Sequence, residues 1–89
     1  MSVYVGPSLY RFGRMVMCHM ASEDIDELVS MAIAIGVNKK WLQNYPKKPH
    51  FDISKSKRRL AVQLGAIESH ERKILSIIKA CAEREKTSN

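Results

Sequence analysis

The chain has 89 residues, 15 Lys and Arg against nine Asp and Glu, and a formal net charge of +6. That length suits one small domain with a modest core, and a pI near 9.6 points to acidic partners such as nucleotides, nucleic acid or an anionic surface. No run of about 18 apolar residues exists, which excludes a transmembrane helix, and the opening MSVYVGPSLYRFGR lacks the basic start and apolar block of a signal peptide.

Val3, Tyr4 and Val5 are β-formers ended by Gly6-Pro7, which predicts a short strand entering a loop. The loop, Ser8 to Arg14, mixes rings and guanidinium groups. Tyr10, Arg11 and Arg14 are candidate ligand contacts in it, although the spacing fits neither a P-loop nor a dinucleotide fingerprint. Met15 to Met20 reads as a buried strand whose methionines fill core gaps. His19, near the end of that strand, is expected to project toward a ligand, because open α/β sheets collect ligands at the carboxyl ends of their strands. Ser22 is the expected N-cap of a first helix, with Glu23, Asp24, Asp26 and Glu27 placed where the helix dipole favours negative charge. Ile25, Leu28, Val29, Ala32 and Ile35 recur at helical spacing up to Gly36, a left-handed stop. Capping and dipole effects account for these acids without a catalytic pair or a metal site.

The densest chemistry lies between Asn38 and Arg59. Eight of the 15 Lys and Arg fall in these 22 positions, against one acid, Asp52. Trp41, Tyr45, His50 and Phe51 are interleaved with them. Such a mixture suits phosphates joined to bases: cationic groups neutralise phosphate, and rings stack on bases at roughly 1–3 kcal/mol each. Pro46 and Pro49 interrupt the stretch, which disfavours an amphipathic membrane-surface helix. Asp52 or Ser54 is expected to cap a second helix carrying Leu60, Ala61 and Leu64 on one face and ending at Gly65. The free N–H groups of its first turn, with Lys55, Lys57 and Arg58, form an expected anion site facing the His50 segment.

Ala66 to Glu68 is a possible third strand, and Ser69 an expected cap for the last helix. Ile74, Leu75, Ile77, Ile78 and Cys81 make an apolar stripe wide enough to predict packing against another copy of the chain. The tail, 83–89, is expected to fray. Cys18 and Cys81 form no metal-type pair, so two reduced, buried thiols in a cytoplasmic protein are expected. The fold class is therefore α/β: a single domain over 1–89 with a short two- or three-stranded sheet, three helices and the C-terminal helix in a homo-oligomer interface. No cofactor, metal ligand set or catalytic group is assigned. His50 and Asp52 lie two apart without HxxxH-type spacing, although His19, His50 and Asp52 would suffice chemically for acid–base work or partial metal ligation.

Gly13-Arg14, the Cys18-His19-Met20 triplet, the DELVSMAIAIG helix and the PHFDIS segment together resemble, over roughly residues 1 to 68, a family of short bacterial and phage proteins of unknown function. Gly6 departs from the Asp expected after the first strand in such relatives, which weakens an enzymatic reading. In size and charge the chain also resembles phage anti-defence proteins of the anti-CBASS kind, which sequester cyclic nucleotide signals without hydrolysing them. That resemblance implies a protein of the host cytoplasm holding a cyclic nucleotide or another phosphate-bearing small ligand at a shared pocket. The alternatives are a nucleic-acid-binding module using 38–59, with steep salt dependence, and a small His-dependent phosphoryl-transfer or hydrolytic enzyme. Binding without turnover is the favoured expectation.

Overall fold

The computed structural model describes residues 2–8 and 10–87, and the side chains of these apart from Tyr10 and Phe12. Five strands and three helices build it: β1 (Val3–Val5), β2 (Tyr10–Phe12), β3 (Met15–Ser22), α1 (Ile25–Ala34), a 3-10 turn (Lys39–Trp41), β4 (Phe51–Ser54), α2 (Lys55–Gln63), β5 (Ile67–Glu68) and α3 (Glu71–Thr87). The α/β class and the three helices agree with the expectation; the sheet is larger.

The eight-residue β3 organises the sheet, being antiparallel to β1, β2 and β4. Met17 pairs with Tyr10 and also with Ser54, while Met20 pairs with Val5 and also with Phe51. A strand residue has only two lateral neighbours, so β1 and β2 lie end to end along one edge of β3 and β4 lies along the other. The short β5 runs parallel to β1 on its outer side.

Two additions enlarge the expected sheet. Phe12 pairs with Met15, which makes the 10–14 part of the predicted ligand loop the first arm and turn of a hairpin whose connection is Gly13-Arg14. Gly13 takes φ +62 there, a left-handed value that glycine adopts without a Cβ penalty. The second addition is β4, in which Asp52 is a strand residue. Ser54 alone caps α2, its Oγ accepting from the Lys57 N–H at 3.4 Å.

Period-two alternation gives the sheet two different faces. Val3 and Val5 of β1, Cys18 and Met20 of β3, and Phe51 and Ile53 of β4 form one core with Leu28, Ala32 and Ile35 of the α1 segment and Ala61 of α2. On the opposite face, Tyr4 and Ala21 pack with Ile74, Ile77 and Ile78 of α3. Of the predicted α3 stripe only Leu75 is exposed. Its other four members are buried within this chain, so the expected surplus for an oligomer interface is mostly consumed by the sheet. Leu60 of α2 and Leu64, its C-cap, are exposed, and Ala61 is the buried member of the predicted face.

The helix ends differ from expectation by a residue or two. Asp24, not Ser22, caps α1, with its carboxylate accepting from the Asp26 and Glu27 N–H groups at 2.9 and 3.3 Å. Ser22 is fully buried instead; its hydroxyl donates to the Ser2 carbonyl at 2.8 Å and accepts from the Asp24 N–H at 3.2 Å. Gly36 ends the α1 segment at φ +84 as expected. His70, rather than Ser69, serves the start of α3, its Nδ1 accepting from the Lys73 N–H at 3.2 Å. The helix runs on to Thr87 through most of the tail expected to fray; Ser88 and Asn89 lie outside the described residues.

Candidate functional site

The polar end of the α3-covered face holds a cluster of ionisable groups. His19 lies in mid-strand on β3, directly opposite Asp52 of β4. His50 precedes Asp52 by two residues and so shares its face, and a bridge to Gln43 fixes its backbone, with the Gln43 N–H donating to the His50 carbonyl at 2.8 Å. Glu71, the first residue of α3, closes the group from above. His19 reaches this place from the middle of a largely antiparallel sheet, so the strand-end rule that first drew attention to it does not describe its position.

Each imidazole is oriented by a second group. His50 Nδ1 donates to the Lys48 carbonyl at 2.7 Å, and His19 Nδ1 lies 3.1 Å from Glu71 Oε1, to which it donates. Both Nε2 atoms then face Asp52 Oδ1, at 3.5 Å from His19 and 3.6 Å from His50. The two rings meet edge to face, with centroids 4.9 Å apart. Asp52 Oδ1 is itself buried and has no hydrogen-bond partner. His19, His50 and Asp52 each offer one ligand atom within 4.8 Å of the others, and no other trio of His, Cys, Asp or Glu does so among the described residues.

Position 6 borders this cluster. The Gly6 N–H donates to the His19 carbonyl at 2.9 Å, and a Cβ on Gly6 would stand 3.5 Å from Glu71 Oε1 and 3.2 Å from Ile74 Cγ1. An acid there, as the family resemblance leads one to expect, would face Glu71.

The remaining predicted contacts do not gather around one point. Phe51 is fully buried in the α1/α2 core and offers no ring to a ligand. Arg58 is a structural tie: its Nε donates to the Gly6 carbonyl at 2.8 Å and its Nη1 to Glu68 Oε1 at 2.9 Å. Arg11 pairs with Val16, which by alternation places it on the face opposite His19. Arg14 is exposed at the hairpin turn, roughly 16 Å along β3 from His19 at 3.3 Å per residue. Lys55 is exposed at the start of α2 and Lys57 is half-buried, its Nζ beside Gly36. β4 separates that helix start from His50 by a similar distance, so the expected convergence of an α2 anion site with His50 does not occur. The Tyr10 side chain lies outside the described residues.

Two predicted rings are exposed. Trp41 lies beneath Lys40 Nζ, which is 5.3 Å from the ring centroid. Tyr45 lines a shallow depression with Asn44, Pro46, Lys47 and Lys48, and its hydroxyl donates to Glu85, a bond that raises the phenol above its ordinary pKa. Both cysteines are buried free thiols as expected. Burial pushes each up to about 11, so neither is an activated nucleophile.

Sequence reasoning named His19, His50 and Asp52 together as a chemically sufficient set but had no signal that places them side by side, and it missed Glu71 altogether. The alternation of His50, Asp52 and Ser54 with Phe51 and Ile53 is a strand signal, but the helix-capping pattern overlapping it prevailed. Glu71 carries no such signal, since an acid in a first helical turn has an ordinary dipole explanation.

Fold and site together define a small mixed-sheet α/β protein with a histidine–carboxylate cluster on one sheet face. The chain belongs to the DUF4031 family, described as a protein of unknown function, whose family model matches residues 3–81. No curated protein and no solved structure matched the chain. No helix among the described residues is long and apolar enough to cross a membrane.

Proposed function

We propose that this chain binds a phosphate-bearing small ligand of nucleotide type at the 44–48 depression. The lining carries the reading: Tyr45, Lys47 and Lys48 surround one shallow depression. The depression offers one exposed ring and two ammonium groups, and it is distinct from the histidine cluster: Tyr45 reaches Glu85 and His19 reaches Glu71, which stand roughly 21 Å apart along α3. A base stacks on Tyr45 and the lysines neutralise phosphate. Trp41 is a further stacking platform outside this depression. In its narrowest form the ligand is a cyclic nucleotide immune signal held intact by a phage-type anti-defence protein, a form supported by the anti-CBASS resemblance.

A second reading, hydrolysis of such a ligand, is favoured by the convergence of His19, His50 and Asp52, which places acid–base groups together. Native mass spectrometry separates the two. The protein is mixed with cyclic dinucleotides, cyclic trinucleotides and ADP-ribose derivatives, then heated to recover what was bound. Intact ligand is expected, with Tyr45→Ala weakening binding by about tenfold or more and Tyr45→Phe, which keeps the ring, leaving it nearly unchanged. An altered ligand supports hydrolysis. Absence of binding across the set overturns the small-ligand reading and favours a nucleic-acid partner, whose affinity must fall steeply with salt.

A further inference from the structure

We infer that His19, His50 and Asp52 form a binding site for a divalent transition-metal ion of the zinc class, with Glu71 and the Lys48 carbonyl holding the two imidazoles from behind. The argument begins with protons. A backbone carbonyl only accepts, so His50 Nδ1 must carry the hydrogen in its 2.7 Å bond to Lys48. A carboxylate likewise accepts from His19 Nδ1. In neutral imidazoles both Nε2 atoms then present lone pairs, and both face the same buried carboxylate oxygen.

Three electron-rich atoms aimed at one another repel unless positive charge lies between them. Protons on the imidazoles are one source of that charge. They fit poorly, because 3.5 and 3.6 Å exceed the roughly 2.7–3.2 Å of a good N–H···O bond. A metal ion fits better. With metal–ligand bonds of about 2.0–2.2 Å, tetrahedrally arranged ligand atoms stand about 3.3–3.6 Å apart, close to the two separations seen, and no pair in the trio exceeds 4.8 Å.

The surroundings match as well. Metal-bound histidines as a rule donate their second ring N–H to a carboxylate or backbone carbonyl, which fixes the tautomer, and this trio has one of each. Two imidazole nitrogens select a zinc-class ion over Mg²⁺ or Ca²⁺, which prefer oxygen. Three protein ligands leave a fourth position for water or an anionic oxygen, as in sites that engage a ligand rather than purely structural ones. The inference stands without the nucleotide reading, and its test contains no nucleotide.

Untagged protein is stripped with EDTA and titrated calorimetrically with Zn²⁺, with Co²⁺ as a spectroscopic substitute whose visible absorption reports nitrogen and oxygen ligation. One equivalent of Zn²⁺ should bind and raise the melting temperature. His50→Ala should abolish stoichiometric uptake. Since His50 is nearly buried and its replacement can unfold the chain, the near-isosteric Asp52→Asn decides, with an expected loss of affinity of tenfold or more and an unchanged far-ultraviolet circular dichroism spectrum. Glu71→Gln should weaken binding by about tenfold or more as a positioning change. Failure of the unaltered protein to take up one equivalent overturns the inference. So does uptake that Asp52→Asn leaves unchanged, because the ion then sits elsewhere.

Discussion

The two faces of the sheet are made by the same strands and behave as opposites. On the α1/α2 face, alternate residues of β1, β3 and β4 are Val3, Val5, Cys18, Met20, Phe51 and Ile53, all in the core. On the α3 face, Ala21 and Tyr4 pack with Ile74 and Ile77 at one end, while at the other the covering side chains give way to His19, His50, Asp52 and Glu71. The α1/α2 core is apolar, with the buried Ser22 at its edge and the exposed Arg11 outside it; the α3 core gives way to ionisable groups near the first turn of α3. The difference teaches that the candidate site occupies an interruption in the second core, so the first core can hold the strands in register while the interruption carries the chemistry.

This contrast can be broken most severely by attacking the dry face. Phe51→Ala removes the largest fully buried side chain and should cost about 3–5 kcal/mol in chemical denaturation; a loss below about 1 kcal/mol would mean that this face is not the main anchor of the sheet. Thiol chemistry tests a property that the two sides share. Cys18 lies in the α1/α2 core and Cys81 on α3, and burial raises both from 9.0 to about 11. At pH 8 their thiolate populations are about a hundredfold below those of the unfolded chain. Alkylation of native protein should therefore be at least that much slower than in denaturant at both positions. The same shifts fix a sign for stability: a folded pKa above the unfolded one leaves stability intact below about pH 9 and erodes it as pH rises toward 11.

The smallest effect is expected beside Phe51. In metal-free buffer, Asp52→Asn should change stability by no more than about 1 kcal/mol and in the stabilising direction, because it relieves an acceptor facing two other acceptors. A large destabilisation would instead make the Asp52 contacts with the histidines structural ion pairs.

Local signals in the sequence carried much of the fold and less of the site. The α1 segment was legible from its 3.6-residue periodicity and Gly36, and β1 from three β-formers before Gly-Pro. β3 was legible as an apolar run, although its composition concealed which residues belonged to which face. β2 was obscured because aromatic and basic residues between Gly-Pro and Gly-Arg also suit a ligand loop. β4 was obscured because Asp52 and Ser54 both resemble helix caps. Of the candidate site, His19 and His50 were selected from the sequence and stand together in the structure, while Phe51 and Arg58 were selected for chemical types that burial and hydrogen bonding commit elsewhere.

The sequence by itself determined the helix stops, the three-helix α/β character, the basic excess and the absence of an apolar membrane span, because each depends on residue type or on neighbours within a few positions. Tertiary structure alone decided that His19 stands opposite Asp52, that His50 joins them and that Glu71 lies above, bringing together residues as many as 52 positions apart. Pairing register and helix docking are set by the summed burial of both cores. No spacing along the chain encodes that sum, and it is what brings these four residues together.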